Sequence, residues 1–235
     1  DTLSLHDALP IFSDLVHVFY PHTCKGCGSD RLAEQQLLCT PCIRQLPHTE
    51  FAFHAHNYIE RIFFGRIPIE AGHSEFCFSK GQLIQRLIHQ LKYNGQRAIG
   101  IYLGEKTGNT LLESGRFRTI DAIVSLPMFP EKEAKRGYNQ ASIIASGIAR
   151  AMQVPFWENA LIRKALTETQ TRKHRTERWN NVADSFAIPD PDRLAGKHIL
   201  LVDDVITTGA SIEACAQHLL KIPYTRVSIT SIAHA

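Results

Sequence analysis

Long apolar runs are missing from this 235-residue sequence; none approaches the ~20 residues that a helix needs to cross a bilayer. No secretory signal pattern is visible. Charge of one sign is also scarce: the net charge is +3, too weak to argue for nucleic acid by itself. Six cysteines in 235 residues do not make a secreted disulfide framework. No Gly-x4-Gly-Lys-Ser/Thr loop occurs, since Gly196-Lys197 is followed by His198, and this removes P-loop nucleotidases. What remains is ordinary for a globular chain, with 44% hydrophobic and 21% charged residues. The length suits one full domain plus a small one.

Against these absences, residues 199–211 (ILLVDDVITTGAS) stand out. Ile199, Leu200, Leu201 and Val202 suit a strand buried on both faces of a parallel sheet. Asp203 and Asp204 follow at its end, and Thr207, Thr208, Gly209, Ala210 and Ser211 open a helix. Ligands of open α/β sheets sit at the carboxyl ends of strands, and helix N-termini bind anions. Two aspartates beside a phosphate make sense if the ligand also carries hydroxyl donors or a divalent metal. A ribose 5-phosphate meets both conditions, with hydrogen bonds to a charged group contributing about 1.5–3 kcal/mol each. Two plainer readings compete: the Walker B strand of an ATPase, which needs the missing P-loop, and a core strand with a solvated end. The stretch resembles the PRPP-binding signature of type I phosphoribosyltransferases.

Four of the cysteines form two Cys-x2-Cys knuckles, Cys24/Cys27 and Cys39/Cys42, separated by residues 28–38. Four thiolates suit a closed tetrahedral Zn²⁺ site of structural type. The separation is shorter than the common one for such sites but leaves room for a β-hairpin. The competing reading, two thioredoxin-like redox motifs, lacks a surrounding βαβ unit. A segment of roughly 45 residues is near the lower limit for independent folding, and zinc ligation supplies apparent binding energies of ~10–16 kcal/mol.

Residues 1–12 (DTLSLHDALPIF) resemble a translated sequencing-adapter read, the alternative being an amphipathic N-terminal arm; on the first reading the native start is missing or altered. Residues 43–66 read as a junction, and residues 66–79 as two short strands around Ala71–Ser74. Leu83, Ile84, Leu87, Ile88 and Leu91 mark one helix face over 82–92, stopped by Asn94-Gly95. Lys92 at that helix end is either dipole compensation or a ligand group. A helical region is expected near 98–112, a buried strand over 120–126, and a helix over 141–152. Between the last two lies a basic segment with Lys132, Lys135 and Arg136, either a solvated loop or a polyanion site at a strand's carboxyl end. Residues 163–186 are basic and nearly without apolar period. Long loops in compact domains tend to be functional lids, and Gln170, Thr171, Arg175, Arg178 and Asn181 are candidate contacts there. A helix over 209–221 and a strand over 225–233 close the chain, with Cys77 and Cys215 expected as packed, inert thiols.

The knuckles together with LKYNG (91–95), SLPMFPEKEAKRGYNQ (125–140), QTRKHRTERWNNV (170–182) and ILLVDDVITTGAS run in order along nearly all of residues 13–235. In these motifs the chain resembles the ComF/GntX family, a phosphoribosyltransferase-like group linked to competence for DNA uptake. The resemblance implies an α/β chain with the type I phosphoribosyltransferase fold, a mostly parallel sheet flanked by helices, over 61–235. It implies a small N-terminal zinc ribbon over 13–60. It assigns PRPP contacts to Asp203, Asp204, Thr207, Thr208, Gly209, Ala210, Ser211, Lys92 and Arg136, with Asp203 and Asp204 the contributors to any catalysis. Implied cofactors are structural Zn²⁺ on Cys24, Cys27, Cys39 and Cys42, and Mg²⁺ carried with PRPP. Relatives that salvage 6-oxopurines carry an Asp where this chain has Thr207, so that chemistry is not expected here. The acceptor stays open, and so does a role as a single-stranded DNA-binding competence factor that uses the cleft only as a nucleotide or PRPP sensor. For that role Tyr20, Phe51 and Phe53 are candidate stacking groups, with packing at the domain junction as the alternative. DNA-uptake proteins are possible partners, and a bacterial, cytoplasmic setting follows from the family and the free thiols.

Overall fold

The computed structural model describes residues 22–30, 32, 33, 36–164 and 185–235. By its contacts the chain divides into two compact units, Asp1–Leu46 and Pro47–Ala235. The sequence reading placed that division at 60/61. Residues 47–60 contact the second unit: Thr49 Oγ1 donates to the Ser74 carbonyl at 2.5 Å, and Asn57 Nδ2 to the Gly72 carbonyl at 2.8 Å. In the first unit, a five-residue helix α1 (Thr40–Arg44) begins on the second knuckle, with Pro41 in its first turn. Among the described residues no strand lies between the knuckles.

The second unit is an open parallel sheet flanked by helices. In chain order its elements are α2 (Tyr58–Phe63), β1 (Gly72–Cys77), α3 (Leu83–Tyr93), α4 (Arg97–Ser114), β2 (Ala122–Ser125), α5 (Pro130–Arg136), α6 (Gln140–Met152), β3 (Ile162–Arg163), β4 (Phe186–Ala187), β5 (His198–Ile206), α7 (Ala210–Leu220) and β6 (Arg226–His234). The main sheet runs β1-β6-β5-β2 with all neighbours parallel, and β3 pairs antiparallel with β4. β5 is central, which explains its uninterrupted apolar start: Ile199, Leu200, Leu201 and Val202 are fully buried.

Three expectations need correction. Residues 66–79 hold one strand, because Ala71–Ser74 joins the β6 ladder from Gly72 onward instead of turning. The basic segment is a helix, α5, started by Pro130 at its first position and ended by Gly137 at φ 80°. β5 does not stop at Val202; Asp203, Val205 and Ile206 still pair with β6, so both acids lie inside the strand's carboxyl half.

α4 and α6 cross in close contact. Gly100, Gly104 and Gly108 recur every fourth residue and so share a face of α4. A Cβ on Gly104 would overlap the Ile144 carbonyl oxygen, and one on Gly147 the Ile101 carbonyl oxygen. That close crossing places the N-terminus of α6 at the carboxyl end of β2, where Asn139 caps it. Asn139 Oδ1 accepts from Ala141 N at 3.0 Å while its Nδ2 donates to the Leu126 carbonyl at 2.8 Å.

Candidate functional site

A cleft of about 460 Å³ opens at the carboxyl ends of β2 and β5. Its floor is acidic and one wall is basic. Asp203, Asp204 and Ser211 line it together with Lys92, Lys132, Arg136 and Arg163. Lys92 Nζ contacts Asp204 Oδ2 at 2.9 Å across the cleft. The helix-end lysine therefore lines the cleft in contact with an acid of β5, beyond any part as a dipole partner. Asp203 Oδ1 accepts from the Asp204 amide at 2.8 Å. Burial and the adjacent Asp204 charge nonetheless push the Asp203 carboxyl up to about 7. Burial, reinforced by Asp203, also raises the Cys215 thiol well above its ordinary value, which suits an inert packed group.

The turn after β5 is shaped by Gly209, which caps α7 at φ 74°. That left-handed conformation favours glycine. It leaves the first-turn amides of an 11-residue helix facing the strand ends. Thr207 and Thr208 are exposed on this turn and Gly209 is buried; of residues 207–211 only Ser211 lines the cleft itself.

The opposite wall is α5. Lys132 lies 5.5 Å from the Phe129 ring centre and Arg136 lies 5.4 Å from that of Tyr93. Among the described residues neither they nor Lys135 form an ion pair. Arg163 reaches the cleft from β3, its guanidinium 3.4 Å from the Phe129 ring centre and 5.0 Å from that of Phe186. Burial lowers its pKa, and its buried Nε has no partner among the described atoms. The structure thus brings Lys92, Arg136, Asp203, Asp204 and Ser211 into one cleft. Gln170, Thr171, Arg175, Arg178 and Asn181 lie outside the described residues, as does Tyr20. Phe51 packs 5.2 Å from His234 and 6.5 Å from Tyr58, as a packing residue would, while Phe53 is exposed.

In the first unit the ligand atoms of Cys24, Cys27, Cys39 and Cys42 lie within 4.8 Å of one another. A tetrahedron with metal–sulfur bonds of ~2.3 Å has edges of roughly 3.8 Å, and the Cys27 and Cys39 sulfurs are already 3.6 Å apart. Cys24 Sγ accepts from Gly26 N at 3.4 Å and Cys39 N at 3.2 Å. Burial raises the Cys24 thiol, but backbone amides outweigh it and bring it down to about 6. The donor set fits a thiolate-bound metal ion.

A family model described as Phosphoribosyl transferase domain matches residues 134–234. Competence protein F of Haemophilus influenzae is 25% identical over 213 residues, covering 90% of this chain and 84% of that protein. The DNA utilization protein YhgH of Escherichia coli K12 is 30% identical over 138 residues, 57% of this chain and 60% of that protein. Competence protein ComFC of Bacillus subtilis is 33% identical over 99 residues, 42% of this chain and 38% of that protein. In these stretches the chain is similar to ComF-type and phosphoribosyltransferase-like proteins. The chain carries the phosphoribosyltransferase fold, a parallel sheet flanked by helices, with its four-cysteine cluster toward the N-terminus.

Some residues of the cleft were not singled out from sequence. Asn139 was readable, as a capping residue directly before a helical run. Tyr93, two-thirds exposed at the cleft mouth, sat inside a quoted motif without a role. Arg163 carried no local signal, since its place depends on the pairing of β3 with β4 across the intervening twenty-two residues 164–185.

Proposed function

We propose that the cleft binds 5-phosphoribosyl 1-pyrophosphate and that the protein acts as a ComF-type phosphoribosyltransferase in DNA uptake or nucleotide metabolism. The observation that carries this reading is the Lys92–Asp204 contact. It sets a cation and a partly buried acid pair on either side of one cleft, beside the glycine-capped start of α7. In this reading Asp203 and Asp204 accept hydrogen bonds from the ribose 2′ and 3′ hydroxyls. Thr207, Thr208, Gly209, Ala210 and Ser211 hold the 5′-phosphate with backbone amides and hydroxyls. Lys92 leaves Asp204 and, with Arg136 and the other α5 cations, takes the pyrophosphate. Transfer breaks the bond from ribose C1 to pyrophosphate, whose oxygen keeps the electron pair, while the acceptor supplies the pair for the new bond. The chain's contribution is positioning and charge stabilisation. Mg²⁺ carried with the ligand would neutralise pyrophosphate charge, and Asp203 and Asp204 are the carboxylates that would be available to it. Gln170, Thr171, Arg175 and Arg178 are assigned to a lid over this cleft. The segment up to Leu46 is assigned to a zinc ribbon and Pro47–Ala235 to the phosphoribosyltransferase-like domain, in a cytoplasmic protein.

Calorimetry with PRPP and Mg²⁺ tests the reading. Wild type should bind, and Asp204→Asn should lose at least about tenfold in affinity, the size of one hydrogen bond to a charged group. No heat with either protein would remove the cleft assignment. Metal analysis should give one zinc per chain; a value near zero in protein purified without chelator would overturn the ribbon.

A second reading is favoured by the unpaired cations Lys132, Lys135 and Arg136 and the exposed Tyr93, which ring a further hollow of about 440 Å³ next to the cleft. In it the protein binds single-stranded DNA and uses the cleft as a PRPP or nucleotide sensor. Phosphate contacts would make that binding fall steeply with salt. Weak binding without salt dependence counts against it.

A further inference from the structure

We infer that Arg66 is the positioning residue for the phosphate-holding turn, acting through Thr208 and Glu213 without touching the ligand. The inference rests on the reading that residues 207–211 hold the ribose 5′-phosphate, and it adds a residue lying outside the matched residues 134–234. A turn that binds phosphate must present amides and keep its carbonyl oxygens engaged elsewhere, because carbonyl lone pairs repel an anion. Arg66 Nη1 donates to the Thr208 carbonyl at 3.1 Å and to the Ile62 carbonyl at 3.1 Å. Its Nη2 pairs with Glu213 Oε2. Glu213 stands in the first turn of α7. A carboxylate there stabilises a helix start but repels a phosphate bound at the same place. The Arg66–Glu213 pair cancels that charge without engaging the turn's amides, of which Ala210 N donates only a long bond, 3.4 Å, to Thr208 Oγ1. A guanidinium can hold a carboxylate with one nitrogen and carbonyls with another, whereas the compact ammonium of lysine cannot span them in one fixed geometry.

The same segment also sets the conformation of the turn. Phe63 is fully buried, and a Cβ on Gly209 would lie 2.7 Å from Phe63 Cε1. The Arg66 guanidinium lies 5.8 Å from the Phe63 ring centre. α2 and the residues after it therefore form the base on which the turn rests, fixing its backbone through Phe63 and its charge through Arg66.

The experiment separates the two ends of the ligand. Binding of PRPP with Mg²⁺, ribose 5-phosphate alone and pyrophosphate with Mg²⁺ is measured on wild type, Arg66→Ala, Arg66→Lys, Glu213→Gln and the Arg66→Ala/Glu213→Gln double variant. Arg66→Ala should weaken ribose 5-phosphate and PRPP roughly 10- to 100-fold, the size of a lost charge-assisted hydrogen bond. Pyrophosphate should stay within about twofold, which also reports that the variant is folded. Arg66→Lys should restore only part of the loss. Glu213→Gln should bind ribose 5-phosphate at least as tightly as wild type, and in the Arg66→Ala background it should recover part of the affinity. Equal loss of ribose 5-phosphate and pyrophosphate, or no loss of either, would overturn the role of Arg66 while PRPP binding by wild type stands. Absence of PRPP and ribose 5-phosphate binding by wild type would overturn the cleft reading itself, and this inference with it.

Discussion

Two carboxylates of the main sheet, one fully and one partly buried, end in opposite electrostatic states. Glu75 of β1 is held from both oxygens. Its Oε1 meets His48 Nδ1 at 2.9 Å and accepts from Thr110 Oγ1 at 3.2 Å, and its Oε2 meets His73 Nε2 at 3.0 Å. Burial raises its pKa, but the two histidines outweigh burial and bring it down to about 2. Asp203, two strands away, has the Asp204 amide and a second carboxylate as neighbour, and burial carries it up to about 7. The difference is one of satisfaction. Glu75 has its partners within the protein, so its charge belongs to the fold. Asp203 lacks enough of them, so a proton, a cation or a ligand's hydroxyls must complete it. An acid left incomplete in this way is what the proposed binding role of the cleft requires, whereas the β1 cluster is satisfied within the fold.

The largest effect expected from this contrast is on stability. Glu75→Gln leaves His48, His73 and Thr110 around a neutral amide. Removing one partner of a buried charged network costs about 3–5 kcal/mol. Urea unfolding at pH 7 should show this loss, with PRPP affinity of the remaining folded protein unchanged; a loss below ~1 kcal/mol would mean that the cluster is not the structural element described here. Asp203→Asn should go the other way. At pH 8 it removes a partly buried charge that the protein does not satisfy, and stability should rise by about 1–3 kcal/mol. PRPP binding should disappear in the same variant. A destabilised Asp203→Asn protein would place Asp203 in the same class as Glu75.

Why one carboxylate was legible in the sequence and the other was not follows from the same contrast. Asp203 sits in a local pattern in which apolar strand, acids and helix-opening turn occupy consecutive residues, so its position at a strand's carboxyl half could be read directly. The cysteine knuckles and the face of α3 were legible for the same reason. Glu75 is the product of distant pairings: His48 is 27 residues away and Thr110 is 35. Residue 75 inside GHSEFC, with no local signal of its own, was passed over, and a turn was expected at its strand's start. Arg66 likewise reaches 142 residues along the chain to Thr208. The glycines of α4 had a visible four-residue spacing, yet their reason, the carbonyls of α6, lies on another helix. Even β5 was drawn too short, because a strand's end depends on its neighbour and β6 continues past the acids.

The smallest effect is a pH dependence, and its sign differs for the two groups. Glu75 is depressed in the folded state, so its contribution is present above about 4.5 and is lost as the pH falls toward about 2. Asp203 is raised, so the folded protein binds a proton that the unfolded chain has released between about 3.8 and 7. Its contribution is therefore lost as the pH rises through that window. These two groups together put the greatest stability of the free protein at about pH 4, where Glu75 is ionised and Asp203 is still protonated in the folded state. Ligand binding follows from the same proton. A ribose hydroxyl or Mg²⁺ needs the ionised Asp203, so below pH 7 binding must expel a proton, and affinity should fall by up to about tenfold per pH unit. Titrations at pH 6 in two buffers of different ionisation enthalpy should report up to one proton released per PRPP bound, after correction for the ligand's own phosphate groups. At pH 9 they should report none. Equal release at both pH values would show that Asp203 is already ionised in the free cleft and that the two carboxylates do not differ in the way described.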